Sequence, residues 1–178
     1  MKITTDIAGC RNCGLCVNRH IAPIFYDDSR YLLLFETPFF YEDSQRLDKL
    51  WAYLLSRGYM KSDFAMAATV QCLPVNSKKK GREYRVSSPA KTHREACREH
   101  LLAFIKELKP KKMIVFGNIA MEEVTGEFDG ITKKHCTIVR PKIADMVIPT
   151  VLSTTPSLIK LEELDNVLEL FGNIPIDK

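Results

Sequence analysis

The sequence predicts an α/β fold of three layers (α/β/α), in which helices cover both faces of a central, mostly parallel sheet of four strands. Short apolar runs alternate along the chain with longer segments of helical periodicity, which is typical of successive βαβ units. Strands of such a sheet are buried on both faces, so they show as continuous apolar runs. The chain has 178 residues, of which 46% are hydrophobic. Because this is enough for one core, we predict a single domain over residues 1–178 that begins with a cysteine-rich segment.

Four apolar runs are predicted as strands because each is short and is followed by polar or turn-forming residues. They are Arg30–Glu36, Asp63–Cys72, Lys112–Asn118 and Met146–Ser153. Open α/β sheets bind ligands at the carboxyl ends of their strands. The residues that end or follow these runs are therefore the first candidates for a functional site.

Helices are predicted between and after the strands. The first is closed by Gly58 and has its apolar residues on one face: Leu47, Leu50, Trp51, Leu54 and Leu55. A longer helix is predicted to begin with Ser88 as N-cap and Pro89 at the first helical position, and to stop at Pro110. Two further helices are predicted over Ile119–Val124 and Lys160–Gly172.

The composition excludes some classes of protein. No run is long and apolar enough to span a membrane, and the polar N-terminus is unlike a signal peptide. We therefore expect a cytoplasmic protein with no membrane partner. In that compartment, paired cysteines bind metals or carry out redox chemistry more often than they form disulfides. The net charge of +4 is mild, and it is informative only where basic residues cluster.

Cysteines are the most specific signal in the sequence. The polar stretch "CRNCGLCVNRH" places Cys10, Cys13 and Cys16 at gaps of two residues. Cys72 ends the second predicted strand, and Cys97 lies in the long predicted helix. Four thiolates from a C-x-x-C pair and two distant positions suit a [4Fe–4S] cluster or a structural zinc ion. The alternative is that the last two cysteines are simply buried apolar side chains.

Five blocks of the sequence resemble, in order, motifs of the iron–sulfur (family 4-type) uracil-DNA glycosylases. The blocks are "CRNCGLCVNR", "LLLFETP", "ATVQCLP", "SPAKTHREACREHLLAFIKELKPKKMIVFGNIA" and "TTPSLIK", and their order extends over most of the chain, from Cys10 to Lys160. The resemblance implies the fold of that superfamily and hydrolysis of the N-glycosidic bond of a base flipped out of DNA, as part of DNA repair. It also implies a [4Fe–4S] cluster with four thiolate ligands: Cys10, Cys13, Cys72 and Cys97. Cys16 and Cys136 are then additional cysteines.

The sequence departs from this family at positions that carry its chemistry. Where the family has the asparagine that recognises uracil, this chain has Ala68, with Thr69 beside it, and alanine cannot hydrogen-bond a base. Where the family has a histidine that stabilises the charge on the leaving base, this chain has Thr155, a neutral hydroxyl. Phe35 and Phe39 replace glycines that permit close approach to the backbone. We therefore expect uracil excision to be weak or absent.

Further substrate-contacting residues are implied by the same resemblance. Glu36 stands where the family has a glutamate, and it is a candidate to orient a water or stabilise a positively charged sugar. Its alternative role is that of a strand-end carboxylate that caps a turn or faces solvent. Phe39, Phe40 and Tyr41 are candidates for the phenylalanine that stacks on the base. Ser157 matches the serine of the last motif.

A basic loop lies between the third and fourth implied cluster ligands. It holds Tyr84 among five basic residues: Lys78, Lys79, Lys80, Arg82 and Arg85. Clustered positive charge with an interleaved aromatic side chain suits a phosphate backbone and a stacked base, so we predict that the loop contacts single-stranded DNA or the strand around a flipped base. The alternative is a solvated loop without a partner.

Three functions remain open from the sequence. The first is an enzyme that flips a damaged or modified base and cleaves its glycosidic bond. The second is a non-catalytic module that binds DNA or a protein partner and keeps the fold and the cluster. The third, which the sequence supports least, is electron transfer through the cluster.

Overall fold

The computed structural model of the protein describes residues 9–38, 44–74, 87–128, 130–155 and 161–175. The strands of these residues, in chain order, are β1 (Tyr31–Phe35), β2 (Phe64–Ala68), β3 (Lys112–Phe116), β4 (Thr137–Val139), β5 (Lys142–Ile143), β6 (Met146–Val147) and β7 (Thr150–Ser153). Five of them form one sheet in the order β2-β1-β3-β7-β4. The first four strands of this order are parallel, whereas β4 runs antiparallel to β7. β5 and β6 form a separate antiparallel pair.

The helices, in chain order, are α1 (Ser44–Ser56), α2 (Lys91–Leu108), α3 (Asn118–Thr125), α4 (Ile131–Lys134) and α5 (Leu161–Asn173). Two short 3₁₀ turns cover Gly14–Val17 and Lys61–Asp63. Among these described helices, none combines the length and the apolar character needed to cross a bilayer.

Every residue of the four central strands is buried, because helices cover both faces of the sheet. Along β1, the side chains of Tyr31, Leu33 and Phe35 pack into one core with α1 and α5. Leu32 and Leu34 point the other way, into a second core with α2 and α3. This alternation follows from the pleat of a strand. The predicted three-layer α/β/α architecture with a mostly parallel sheet is therefore confirmed.

The strand prediction differs from the structure at the end of the chain. In the described residues the sheet has five strands, whereas the sequence predicts four. The strand that the prediction lacks is β4. β4 is a three-residue edge strand whose first two side chains are exposed, so it lacks the apolar run of a central strand. The predicted fourth strand, Met146–Ser153, is divided between β6 and β7, because the chain leaves the two-stranded pair before it joins the sheet.

Two details of the helix prediction are also wrong. α2 begins at Lys91 with Ala90 as its N-cap, not with Ser88. The backbone of Ala90 is extended, and ahead of it the backbone amide of Ser87 donates to the carbonyl oxygen of Pro74 at 2.8 Å. Leu55 does not lie on the buried face of α1, because 51% of it is exposed.

An N-terminal segment runs along the outer edge of β2. The amide of Ile24 donates to the carbonyl of Met66 at 2.9 Å, and the amide of Met66 donates back at 2.7 Å. Further along, His20 forms an antiparallel bridge with Cys72. This segment therefore covers the edge of β2 and carries the first three cysteines towards the carboxyl ends of the strands.

Candidate functional site

Five cysteines line one apolar recess, called here the cysteine recess. Its lining residues are Cys10, Cys13, Leu15, Cys16, Val70, Gln71, Cys72, Ala96, Cys97 and His100. They come from three parts of the chain: the N-terminal segment, the segment after β2 and the helix α2. The structure thus brings together all four cysteines of the predicted ligand set and adds Cys16 to them.

Backbone pairing holds the N-terminal cysteines in this place. The side-chain amide of Asn18 donates to the carbonyl of Leu73 at 2.7 Å, and the amide of Leu73 donates to the carbonyl of Arg19 at 3.0 Å. Leu15, in the 3₁₀ turn between the cysteines, is buried and anchors that turn. These contacts bind the segment of the first cysteines to the segment that ends with Cys72.

Burial favours the neutral form of two thiols of the recess. Burial raises the pKa of the Cys72 thiol to about 11, and the adjacent thiols act in the same direction. Burial likewise raises the pKa of Cys97 to about 11. Because a thiolate is the form that binds a metal, a metal that enters this recess has to displace protons.

The donor set of the recess fits an iron–sulfur cluster or zinc. Both take four thiolate ligands, and five thiols converge on an apolar wall. Within the described ranges, no group of three histidine, cysteine, aspartate or glutamate side chains has the geometry of a bound metal ion. Cys136 lies apart from the recess, in the turn before β4.

A second polar arrangement lies at the carboxyl edge of the sheet, where β1 ends and α3 begins. The backbone amide of Ile119 donates to Oε1 of Glu36 at 3.0 Å. The carboxylate packs on Gly117, the N-cap of α3, whose φ of +93° lies in the region that favours glycine. Burial raises the pKa of the Glu36 carboxyl, while the amides of Ile119 and Asn118 partly offset this shift. Glu36 therefore caps α3, as its alternative role implies, and its catalytic role stays a prediction.

This edge is connected by polar contacts to α2. Nδ2 of Asn118 donates to Oε1 of Glu122 at 2.6 Å, and a guanidinium nitrogen of Arg94 lies 3.3 Å from Oε2 of Glu122. Arg94 stands one turn before Cys97 on α2. The charges of Glu122 and Arg94 also act on the pKa of Glu36, in opposite directions. A chain of polar groups thus joins the carboxyl edge to the helix that supplies a cysteine to the recess.

Comparison with known families decides the affiliation of this fold and site. A sequence model described as the uracil DNA glycosylase superfamily matches residues 23–171 of the 178. The chain belongs to the uracil DNA glycosylase superfamily. The match spans the sheet, Glu36, Cys72 and Cys97, and it begins after the N-terminal cysteines. No curated protein sequence matched the chain.

Ala68, which the resemblance aligns with the residue that recognises uracil, is a core residue in this structure. Ala68 ends β2 with no exposed surface and packs in the core that contains Phe35 and Phe116. Thr69 is also buried, and its hydroxyl donates to the backbone carbonyl of Glu36 at 2.7 Å. Ala68 thus has no hydrogen-bonding side-chain group, and the hydroxyl of Thr69 is used by the backbone of Glu36.

Thr155 follows β7 at the same carboxyl edge of the sheet, and the residue before it, Thr154, contacts an imidazole from another element. The amide of Thr154 donates to Nδ1 of His135 at 3.2 Å. Nε2 of His135 lies 3.2 Å from Sγ of Cys136 and 3.9 Å from Oε2 of Glu163. Both nitrogens of this imidazole are thus engaged within the fold.

Several predicted site residues lie outside the described residues. They are Phe39, Phe40, Tyr41, Lys78, Lys79, Lys80, Arg82, Tyr84, Arg85 and Ser157. Their roles in base stacking and DNA contact stay predictions.

Sequence reasoning missed the imidazole of the recess. His100 lines it, with Nε2 3.4 Å from Sγ of Cys10. The only available signal was its position three residues after Cys97, which puts the two side chains on one face of a helix. His20 approaches the recess too, with Nδ1 4.0 Å from Sγ of Cys72.

Proposed function

We propose that this member of the uracil DNA glycosylase superfamily is an iron–sulfur protein that binds DNA and acts on, or recognises, a damaged or modified base flipped out of the stack. The observation that carries the proposal is the convergence of Cys10, Cys13, Cys72 and Cys97 on one recess. These residues come from three distant parts of the sequence. If Cys72 and Cys97 were only buried apolar side chains, they would have no reason to meet the two N-terminal cysteines. Membership of the superfamily supports the DNA partner.

The four cysteines of the predicted set would hold a [4Fe–4S] cluster, and Cys16 stands beside them as a fifth thiol. When bound, such a cluster cross-links distant parts of the chain and can take up or release one electron. The chain itself supplies the apolar walls and the backbone pairing around the recess. A structural zinc ion on the same thiolates is the alternative occupant.

Uracil is not expected to be a good substrate. Ala68 lacks a hydrogen-bonding side chain and is closed into the core, and Thr155 has no imidazole to stabilise the leaving base. Loss of one preorganised stabilising group typically reduces the rate of an enzyme about a hundredfold or more. The proposal is therefore a protein with altered base specificity or a slow reaction.

A second function is favoured by the position of Glu36. Its carboxylate accepts a backbone hydrogen bond and caps α3, so it serves the fold even without a substrate. A protein that keeps this cap but lacks the recognition and leaving-group residues fits a non-catalytic module that binds DNA or a protein partner. Both proposals keep the cluster, and they differ in whether any base is released.

The test starts from protein purified without oxygen. We expect a brown protein with about four irons per chain, and a colourless protein with about one zinc would replace the cluster by a tetrahedral site. Cys72→Ser and Cys97→Ser should lose the metal, whereas Cys136→Ser, outside the recess, should keep it. Retention of metal by both recess variants would refute the ligand set.

The same protein is then incubated with single-stranded and duplex oligonucleotides that carry uracil or one of several modified bases, and abasic sites are counted. Release of a modified base with little uracil release supports the enzyme. Binding of these oligonucleotides without release of any base supports the non-catalytic module. Rapid uracil excision would contradict the proposed loss of activity.

A further inference from the structure

We infer that His100 is a positioning residue of the cysteine recess, which donates a hydrogen bond from Nε2 to the Cys10 thiolate and so fixes one ligand of the metal. The inference rests on the proposed function, because it concerns a proposed ligand. Nε2 of His100 lies 3.4 Å from Sγ of Cys10, within the range of an N–H···S hydrogen bond.

Cys10 is the proposed ligand with the least regular backbone around it. It lies in irregular chain ahead of the first 3₁₀ turn. Cys13 is the N-cap of that turn, Cys72 forms a backbone bridge with His20, and Cys97 lies within α2. A side chain in irregular backbone has more conformational freedom to lose when it binds a metal. A contact that orients the Cys10 side chain in advance therefore matters more than it would for the other three.

His100 is well placed to provide this contact. It lies one turn after Cys97 on α2, so both side chains project from the same face of the helix. The next residues of that helix, Leu101, Phe104 and Ile105, are fully or almost fully buried against the sheet. α2 is therefore a rigid support, from which the imidazole reaches the N-terminal segment.

The chemistry of the pair suits a donor and an acceptor. A neutral imidazole carries one N–H, and a thiolate is an acceptor, so the tautomer with the proton on Nε2 stabilises the form of Cys10 that binds metal. Hydrogen bonds to ligand sulfurs also help to set the reduction potential of an iron–sulfur cluster. Loss of an outer partner of a metal ligand typically weakens metal affinity about 10–100-fold.

The experiment compares full-length wild type with His100→Phe, which keeps a planar ring without a donor, and with His100→Gln, which keeps an N–H donor. Retention of iron is measured in competition with a chelator, and the reduction potential by titration followed by electron paramagnetic resonance. His100→Phe should retain iron about 10–100-fold less well and have a more negative potential. His100→Gln should restore both values towards those of the wild type.

The control is His93→Phe, the same substitution on the same helix at a residue that does not line the recess. It should leave both measurements unchanged. If His100→Phe misfolds by circular dichroism, His100→Leu takes its place as the variant without a donor.

Three results would overturn the inference but not the proposed function. The first is wild-type retention and potential in the variant without a donor. The second is a glutamine variant as defective as that one, since the ring and not its N–H would then matter. The third is a nitrogen coupled directly to the cluster in the spectrum of the wild type, which is lost in His100→Gln, since His100 would then be a ligand. A wild type that holds zinc alone leaves the retention assay valid, and one that holds neither metal overturns the proposed function as well.

Discussion

The carboxylate of Glu36 occupies the space in which a side chain on Gly117 would have to stand. A Cβ at position 117 would lie 2.4 Å from Oε1 of Glu36, too close for any non-bonded contact. The glycine that begins α3 and the glutamate that ends β1 therefore depend on each other. Together they connect two neighbouring strand ends at the carboxyl edge of the sheet.

Gly117→Ala is expected to lower the free energy of unfolding by more than about 1 kcal/mol. The backbone there, with φ +93° and ψ 163°, lies in a region that only glycine adopts readily. In addition, the methyl group would push the Glu36 carboxylate away from the amide of Ile119. Chemical denaturation of the wild type and the variant measures the loss.

Two controls separate strain from contact. Gly58→Ala tests positive φ alone, since φ is +80° there and, beyond the adjacent residues, no atom of the described part of the chain lies within 4 Å of the place of its Cβ. Gly117→Ala in a Glu36→Ala background tests the contact, because the methyl group then meets no carboxylate. If Gly117→Ala lowers the free energy of unfolding equally with and without Glu36, the contact between the methyl group and the carboxylate does not contribute to the loss.

The stability contributed by Glu36 is expected to decrease as pH rises. Burial raises the pKa of the Glu36 carboxyl in the folded protein above its pKa in the unfolded chain. Between these two pKa values the folded protein is protonated at Glu36 and the unfolded chain is not, so the folded protein binds more protons. Its contribution is complete below the unfolded pKa and is lost as pH rises through the folded pKa. Glu36→Gln keeps an acceptor for Ile119 but does not titrate. The free energy of unfolding of the wild type minus that of Glu36→Gln should fall over this range, and a rise would contradict the burial of the carboxyl.

Lys112 should give the opposite dependence. The ammonium group of Lys112 donates to the backbone carbonyl of Phe171 at 2.6 Å and lies 4.3 Å from the centre of the Phe171 ring. Only 2% of Lys112 is exposed. Burial lowers its pKa, so the unfolded chain binds the proton more tightly and stability rises with pH towards the ordinary lysine range. This rise should be absent in Lys112→Met and present in Lys111→Met, a change at the exposed neighbour. Parallel curves for the wild type and Lys112→Met would contradict it.

The basic loop is expected to contact the phosphate backbone of DNA. Each such contact contributes roughly 0.7–0.9 to the slope of log affinity against log salt. Replacement of Lys78, Lys79 and Lys80 by alanine should therefore flatten the slope by about two units and weaken binding to all sequences alike, since phosphates carry no sequence information.

Its matched control removes the same charge from three other lysines, Lys49, Lys106 and Lys111, which are exposed elsewhere. An equal change of slope in both triple variants would mean that net charge alone, rather than this loop, determines DNA affinity.

The central strands could be predicted because burial on both faces leaves a continuous apolar run, as in "YLLLF". β4 could not, since an exposed edge strand needs neither apolar residues nor length. The meeting of Cys72 and Cys97 with the first cysteines was implied by the family resemblance, and the structure places them together. The addition of Cys16 and His100 depends on how the N-terminal segment lies across α2, and local sequence does not encode such a tertiary placement.

The N-terminal segment has a second consequence, which concerns solubility. Through Ile24 and Met66 the segment that carries the cysteines also pairs with the outer edge of β2. An uncovered strand edge offers unpaired backbone groups to other copies of a protein and promotes aggregation. Metal bound by Cys10 and Cys13 would hold this cover in place. We therefore expect removal of the metal by a chelator to increase light scattering before the helical content changes. Aggregation, and not unfolding, would then be the first sign of metal loss.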